Sequence, residues 1–289
     1  MRIIFLLFIL IPFLSFGQEY IPISDGQIVF HSYYMLSYSE KNEQAIWVYY
    51  ELTPEMIYGA VSRTDDFRED NSIEEGSASL EDYKGSGYDR GHLAPAADMK
   101  LNRTSMSESF YLSNMSPQEA SFNRGGWKKL EELVRTWCLE ENKLYVVTGP
   151  IFQDNKGTIG MNQVTVPGYY YKVIFDPTDE QKMIGFIMPN EKLTNSLVSY
   201  VVTVDKIEEI TGIDFFSQLD DTIENSLESI NHSNKWNFTI TSTSSSSSKS
   251  SATTSVQCKG IAKSTGVRCK KKTTNPNGYC HYHQDQCKD

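Results

Sequence analysis

The segment YDRGHLAPAADMK, Tyr88 to Lys100, sets a carboxylate, a guanidinium and an imidazole side by side as Asp89-Arg90-Gly91-His92. An unperturbed imidazole titrates near about pH 6.5, so His92 is a base able to take a proton from water at neutral pH. The planar fork of Arg90 suits a phosphate oxygen better than an ammonium group would. Gly91 is expected to let the backbone turn tightly between the two, and Pro95 to stiffen the exit, so the segment reads as a glycine-hinged turn. On spacing alone, a solvated surface turn with an ion pair fits the same four residues.

A second group lies downstream. LSNMSPQEASFNRGGWKKLEELVR carries Asn114, Asn123, Glu131 and Arg135. The stretch GGWKKLEELVRTWCLEEN predicts a helix, because Leu130, Leu133, Val134 and Trp137 repeat at the i, i+3, i+4, i+7 spacing of one apolar face. With a helix start near Asn123, the side chains Asn123, Trp127, Glu131 and Arg135 are successive i+4 neighbours. Glu131 and Arg135 then sit roughly 100° or more from the centre of the apolar face, on a flank that could border a cleft. An ordinary solvated Glu–Arg helix pair has the same spacing.

These residues need a scaffold. QAIWVYYEL (Gln44–Leu52), KLYVVTGPIF (Lys143–Phe152), YYYKVIFD (Tyr169–Asp176) and KMIGFIMP (Lys182–Pro189) are rich in β-branched and aromatic residues and predict strands. DKIEEITGIDFFSQL predicts a second, shorter helix closed by Gly212. Strands on either side of a long central helix point to an α+β body with a mixed or antiparallel sheet, not a regular βαβ alternation.

The chain of 289 residues carries a formal charge of −10, unevenly spread. Residues 18–240 carry −17 and residues 257–289 carry +5. Bulk attraction of the body to a polyanion is thereby excluded, which leaves only a local basic cleft. Arg90, Lys100, Arg103, Arg124, Lys128, Lys129 and Arg135 cluster in sequence around the motifs and could supply it.

The DRGHLAPAA stretch and the N-x-x-x-W-x-x-x-E-x-x-x-R run resemble the DNA/RNA non-specific endonucleases with a ββα-metal (His-Me finger) active site. That group includes secreted bacterial nucleases and mitochondrial endonuclease G. YELTPEMIYGAVSRTDDF, VVTGPIF, GFIMPNE and IEEITGIDFF also look like blocks of that family in family order, so the resemblance spans about residues 25–220. It implies hydrolysis of DNA and RNA to 5′-phosphate and 3′-hydroxyl ends. His92 would be the general base. Asn123 would be the one direct protein ligand of Mg²⁺ (or Mn²⁺), and Glu131 would hold the waters around that ion. Arg90 and Arg135 would bind the scissile phosphate, and Asn114 would support the site by hydrogen bonding. Asp89 would anchor the turn. Two rival readings are a catalytically idle nucleic-acid-binding or surface protein on the same scaffold, and a phosphodiesterase for small nucleotides.

The ends of the chain carry separate signals. MRIIFLLFILIPFLSFG, residues 1–17, has a basic start, an apolar run and a small-x-small site, as expected of a signal peptide cleaved after Gly17. The same run also suits an uncleaved anchor. A cleaved leader implies a secreted or periplasmic protein with no membrane insertion, whose core occupies residues 18–238. A Ser/Thr-rich linker, residues 239–256, leads to a small module at 257–289. There Cys258, Cys269, Cys280 and His283 offer the ligand set of a tetrahedral zinc, with His281 as an alternative to His283. Two disulfides among Cys258, Cys269, Cys280 and Cys287 fit an exported context equally. Cys138, on the apolar side of the helix, reads as an inert buried thiol, and His31 and His232 as structural.

Overall fold

A computed structural model describes residues 20–178, 180–239, 256–261, 266–273, 278–280, 283 and 286. The predicted leader and nearly all of the serine-rich linker lie outside the described residues. Contacts divide the chain into two units, 1–240 and 241–289. Among the described residues no helix is long and apolar enough to cross a membrane.

The first unit runs β1 (Gln27–Phe30), β2 (Met35–Ser39), β3 (Gln44–Leu52), α1 (Pro54–Tyr58), α2 (Leu80–Tyr83), β4 (Asp89–His92), α3 (Arg103–Glu108), β5 (Met115–Gln118), α4 (Lys128–Glu141), β6 (Leu144–Ile151), β7 (Thr158–Ile159), β8 (Val164–Thr165), β9 (Tyr169–Asp176), β10 (Lys182–Pro189), β11 (Val201–Val202), α5 (Val204–Thr211) and α6 (Asp221–Glu228). Its main sheet has seven strands in the order β1-β2-β3-β6-β9-β10-β11. Every pairing in that sheet is antiparallel. The body is thus α+β with an antiparallel sheet. Three of the four predicted strands carry the predicted ends, and β6 is one residue shorter at each end than Lys143–Phe152.

The central strands are buried on both faces, and their alternation sorts the core in two. Val48, Tyr50, Leu52, Val146 and Ile174 face α4, where Leu130, Leu133, Val134 and Trp137 lie fully or almost fully buried. Trp47, Tyr49, Val147, Val173 and Phe175 face the other way, onto Ile207 of α5, Phe215, Phe216 and Leu227 of α6. Each large apolar side chain so buried contributes about 1.5–3 kcal/mol. The apolar stripe read from the sequence therefore holds α4 on the sheet. Asn142, in a left-handed conformation (φ 68°), ends α4, and Gly212 (φ 69°) ends α5.

Cys138 is buried on that stripe, its thiol pushed up to about 12 by burial, and it donates to the Leu52 carbonyl at 3.3 Å. His31 is also buried. Its Nε2 lies 3.0 Å from Asp70 Oδ2, which also accepts from Ser113 Oγ, and the ring stacks on Tyr111. Asp70 thereby ties the segment after β1 to Ser113, in the turn ahead of β5.

Candidate active site

DRGH is a strand, not the glycine-hinged turn expected. Asp89–His92 forms β4, paired antiparallel with β5 so that Arg90 lies opposite Pro117 and His92 opposite Met115. In a strand, residues two apart share a face. That spacing aims Arg90 and His92 into the same cleft, about 370 Å³ in volume. Gly91 has no positive φ; instead a Cβ there would lie 2.2 Å from Gln118 Cδ. Its missing side chain lets the buried Gln118 pack across the strand.

His92 is 9% exposed. Its ring is held edge-on by Phe110, at 5.0 Å, and Phe67, at 5.9 Å. Burial, reinforced by the charges of Arg63 and Arg90, pushes the imidazole down to about 3, so it is neutral at any ordinary pH. Its Nε2 is buried without a hydrogen-bond partner among the described residues. Asn114 does not line the cleft. It is fully buried behind His92, where Oδ1 accepts from Ala94 N (2.9 Å) and Nδ2 donates to the carbonyls of Ala94 (3.0 Å) and Ser109 (2.8 Å). These bonds fix the backbone just past His92.

The helix expected from Asn123 onward begins differently. Phe122–Trp127 is a π-helical turn that runs directly into α4. Bonds from i to i+5 bring residues five apart into line, and here Phe122 and Trp127 both enter the core, 5.3 Å apart. Trp127 therefore leaves the i+4 stripe, while Asn123, Glu131 and Arg135 line the cleft with His92. Gly126 permits the packing, since a Cβ there would lie 2.2 Å from Leu193 Cδ1.

Asp89 fixes the Asn123 amide. Its Oδ2 accepts from Asn123 Nδ2 at 2.9 Å, and Arg124 grips both carboxylate oxygens at 2.8 and 2.5 Å. Burial alone would raise the Asp89 carboxyl, but the hydrogen bonds from Arg124 and Asn123 hold it below the usual range. With its amino group committed, Asn123 offers Oδ1 to the cleft. One neutral oxygen suits Mg²⁺, which gives up hydration reluctantly and takes few protein ligands. Among the described residues the cleft holds no cluster of three carboxylate or imidazole ligands that would strip such an ion of water.

Behind Asn123 lies a buried charge network. Arg135 Nη1 donates to Asp98 Oδ1 at 2.7 Å, and Tyr50 Oη donates to Asp98 Oδ2 at 2.7 Å. Arg135 is therefore already paired and does not present a free charge to a phosphate. Although Glu131 keeps part of its surface, burial pushes its carboxyl up to about 7, opposed by Arg135 and then Lys172. Lys172 is 1% exposed, and burial pushes its ammonium down, opposed by Glu131 and Asp98. The ammonium donates to Thr148 Oγ1 and lies 4.9 Å from the Trp127 ring centre.

Of the cations grouped in sequence, Arg90, Arg124, Lys128 and Arg135 line the cleft, whereas Lys100, Arg103 and Lys129 do not. Sequence reasoning missed Arg63, Phe67, Phe110, Asp98, Tyr50 and Lys172. Two left traces: Asp98 lies near the end of the motif-bearing segment, and Lys172 is the lone cation of the strand YYYKVIFD, flanked by aromatic and aliphatic residues.

Residues 15–222 match the DNA/RNA non-specific endonuclease family. The chain belongs to that family. Nuclease C1 of Cunninghamella echinulata var. echinulata is 36% identical over 205 residues, 65% of this chain and 81% of that protein. Human mitochondrial endonuclease G is 36% identical over 198 residues, 63% and 67% of the two chains. A chain in the crystal structure of the EndoG/EndoGI complex superposes with a TM-score of 0.63 at 34% identity, covering 68% of this chain and 88% of that one. As a member of this metal-dependent nuclease family, the protein hydrolyses phosphodiester bonds of nucleic acid.

Proposed function

We propose that the protein is an exported endonuclease that cuts both DNA and RNA to 5′-phosphate and 3′-hydroxyl ends, with His92 as general base. The observation that carries the reading is the cleft itself, where Arg90 and His92 on one strand face share walls with the amide of Asn123. Asn123 Oδ1 would hold a Mg²⁺ ion, which when bound supplies electrophilic stabilisation of charge on the phosphoryl oxygens.

The protein's own groups perform the rest. Arg90, 4.2 Å above the Phe67 ring, binds the phosphate. His92 is already in its basic form and takes a proton from the attacking water. A phosphate anion beside Arg63 and Arg90 offsets the two charges that depress the imidazole, so substrate binding strengthens the base. The phosphorus–O3′ bond breaks, and the departing oxygen is protonated from solvent in the open cleft. Asn114 holds the His92 strand end, and Asp98 orients Arg135. No step uses a ribose 2′-hydroxyl, which makes the sugar immaterial.

Supercoiled plasmid and a structured RNA, incubated with Mg²⁺, test this directly. Both are cleaved, chelator abolishes cleavage and His92→Ala slows it by about 10²–10⁴-fold, and the DNA fragments rejoin with ligase without prior phosphorylation. Cleavage undiminished in His92→Ala overturns the assignment. Export rests on residues 1–17, and intact-mass measurement of the processed protein is expected to find Gln18 at its start.

A further inference from the structure

Three thiols and an imidazole converge in the C-terminal unit, a cluster the nuclease chemistry does not use. Cys258 Sγ lies 3.6 Å and Cys280 Sγ 3.3 Å from His283 Nδ1, and Cys269 Sγ lies 4.0 Å from Cys280 Sγ. All four ligand atoms lie within 4.8 Å of one another. A zinc tetrahedron with bonds of about 2.3 Å to sulfur and about 2.0–2.1 Å to nitrogen has S···S edges of about 3.8 Å and S···N edges of about 3.6 Å. The S···N separations of 3.3 and 3.6 Å and the S···S separation of 4.0 Å lie within a few tenths of an ångström of those edges. A disulfide requires about 2.05 Å between sulfurs, and Cys258, Cys269 and Cys280 are all unbridged.

The surroundings point the same way. The buried cluster at the heart of this unit consists of the three cysteines, with no aliphatic side chain among its described members. Two short strands, β12 (Val256–Gln257) and β13 (Lys272–Thr273), frame it. So little apolar surface cannot offset the conformational entropy of ordering the chain, and small units of this kind fold on a staple. Backbone N–H groups of Gly260 (3.3 Å) and Cys280 (3.1 Å) donate to Cys258 Sγ, as they would to a thiolate ligand. Gly260 is needed for the imidazole to approach, because a Cβ there would lie 2.4 Å from His283 Cβ and 2.5 Å from His283 Cγ. Exposed Lys259, Lys270 and Lys272 surround a site whose three thiolates exceed the charge of one zinc ion.

We propose that Cys258, Cys269, Cys280 and His283, the last through Nδ1, bind one structural Zn²⁺ ion that folds the C-terminal unit. Four protein ligands leave no open position, so this ion takes no part in hydrolysis. Metal supplies the folding free energy, and the unit unfolds when it is removed.

The test uses the full chain, purified without added reductant and dialysed against metal-free buffer. Elemental analysis is expected to return one zinc per chain, and Co²⁺ exchange to give the visible absorption of tetrahedral thiolate coordination. Cys258→Ser, Cys269→Ser and His283→Ala each lose the stoichiometric metal and gain tryptic cleavage at Lys259 to Lys272. His281→Ala and Cys287→Ser keep it. Plasmid cleavage with Mg²⁺ stays at the wild-type rate in all five variants, which shows that the nuclease body is folded. Zinc retained by Cys258→Ser and Cys269→Ser, or a metal-free native protein whose sulfurs prove to be disulfide-linked, overturns the proposal.

Discussion

Replacing Asp89 by alanine isolates one link between fold and chemistry. The carboxylate touches no cleft cation except Arg124, yet it sets which end of the Asn123 amide faces the cleft, through a 2.9 Å hydrogen bond. A hydrogen bond to a charged acceptor is worth about 1.5–3 kcal/mol. The Arg124 side chain is 73% exposed, so its pair with Asp89 is screened by solvent and does not govern the outcome. Losing the Asn123 bond frees the amide to present its amino group. The bond's worth corresponds to a ~10–100-fold fall in metal affinity, the range typical of partners that orient a ligand. The assay is the initial rate of plasmid nicking across a Mg²⁺ titration. Half-saturation is expected to move up by ~10–100-fold, with the plateau restored to within a few-fold at saturating Mg²⁺. An unchanged midpoint, or a lost plateau that no Mg²⁺ concentration restores, refutes the claim that Asp89 acts by orienting Asn123.

Four further outcomes follow from the site. His92→Ala is expected to lower kcat about 10²–10⁴-fold with an unaltered circular-dichroism spectrum. The acid limb of kcat/KM is expected near 7 and to belong to Glu131, since His92 stays neutral to about 3. Lys172 favours the ionised Glu131 carboxylate, so Lys172→Met moves that limb to higher pH and Glu131→Gln removes it; a limb unmoved in both would assign it elsewhere. Gly91→Ala drives a Cβ into Gln118 and is expected to cost about 1–3 kcal/mol, read as a lower melting temperature. Cleavage rates at limiting substrate are expected to fall steeply between low and high salt, and a flat profile would rule out phosphate contacts as the source of binding.

The strands and both helices were legible because they follow simple periods. β3, β9 and β10 are runs of β-branched and aromatic residues, and the Leu130–Trp137 stripe keeps a 3.6-residue beat. β1 and β2 escaped because QIVF and MLSYS are short and take their conformation from the strands beside them. The site residues were legible as types, while their roles depended on local geometry that no period announces. A glycine between Arg90 and His92 signals a turn equally well, and only the pairing of β4 with β5 identifies a strand. The π-helical turn removed Trp127 from a stripe that an α-helical wheel assigns to the cleft. Asp98 and Lys172 are brought to Arg135 and Glu131 by pairings remote in sequence.

The charge balance of the cleft resolves the apparent conflict between an acidic body and a polyanionic substrate. Arg63, Arg124 and Arg135 each have a carboxylate partner, Asp65, Asp89 and Asp98 respectively. Their charges are largely compensated, which leaves them as oriented donors and limits long-range attraction. Arg90 makes no ion pair among the described residues and lies instead over the face of Phe67. A cation held against a π face is desolvated on one side and still has its donors to give. It is therefore the cleft guanidinium whose charge an incoming phosphate can neutralise at the smallest cost in existing pairs, and it sits two residues from the base on the same strand face. Arg90→Lys keeps the charge but loses the planar fork, so it is expected to raise KM and lower kcat together. Arg124→Lys, already paired with Asp89, is expected to change KM alone and by less. Equal effects of the two substitutions would mean that net positive charge, and not an unpaired fork beside the imidazole, is what the cleft uses to grip its substrate.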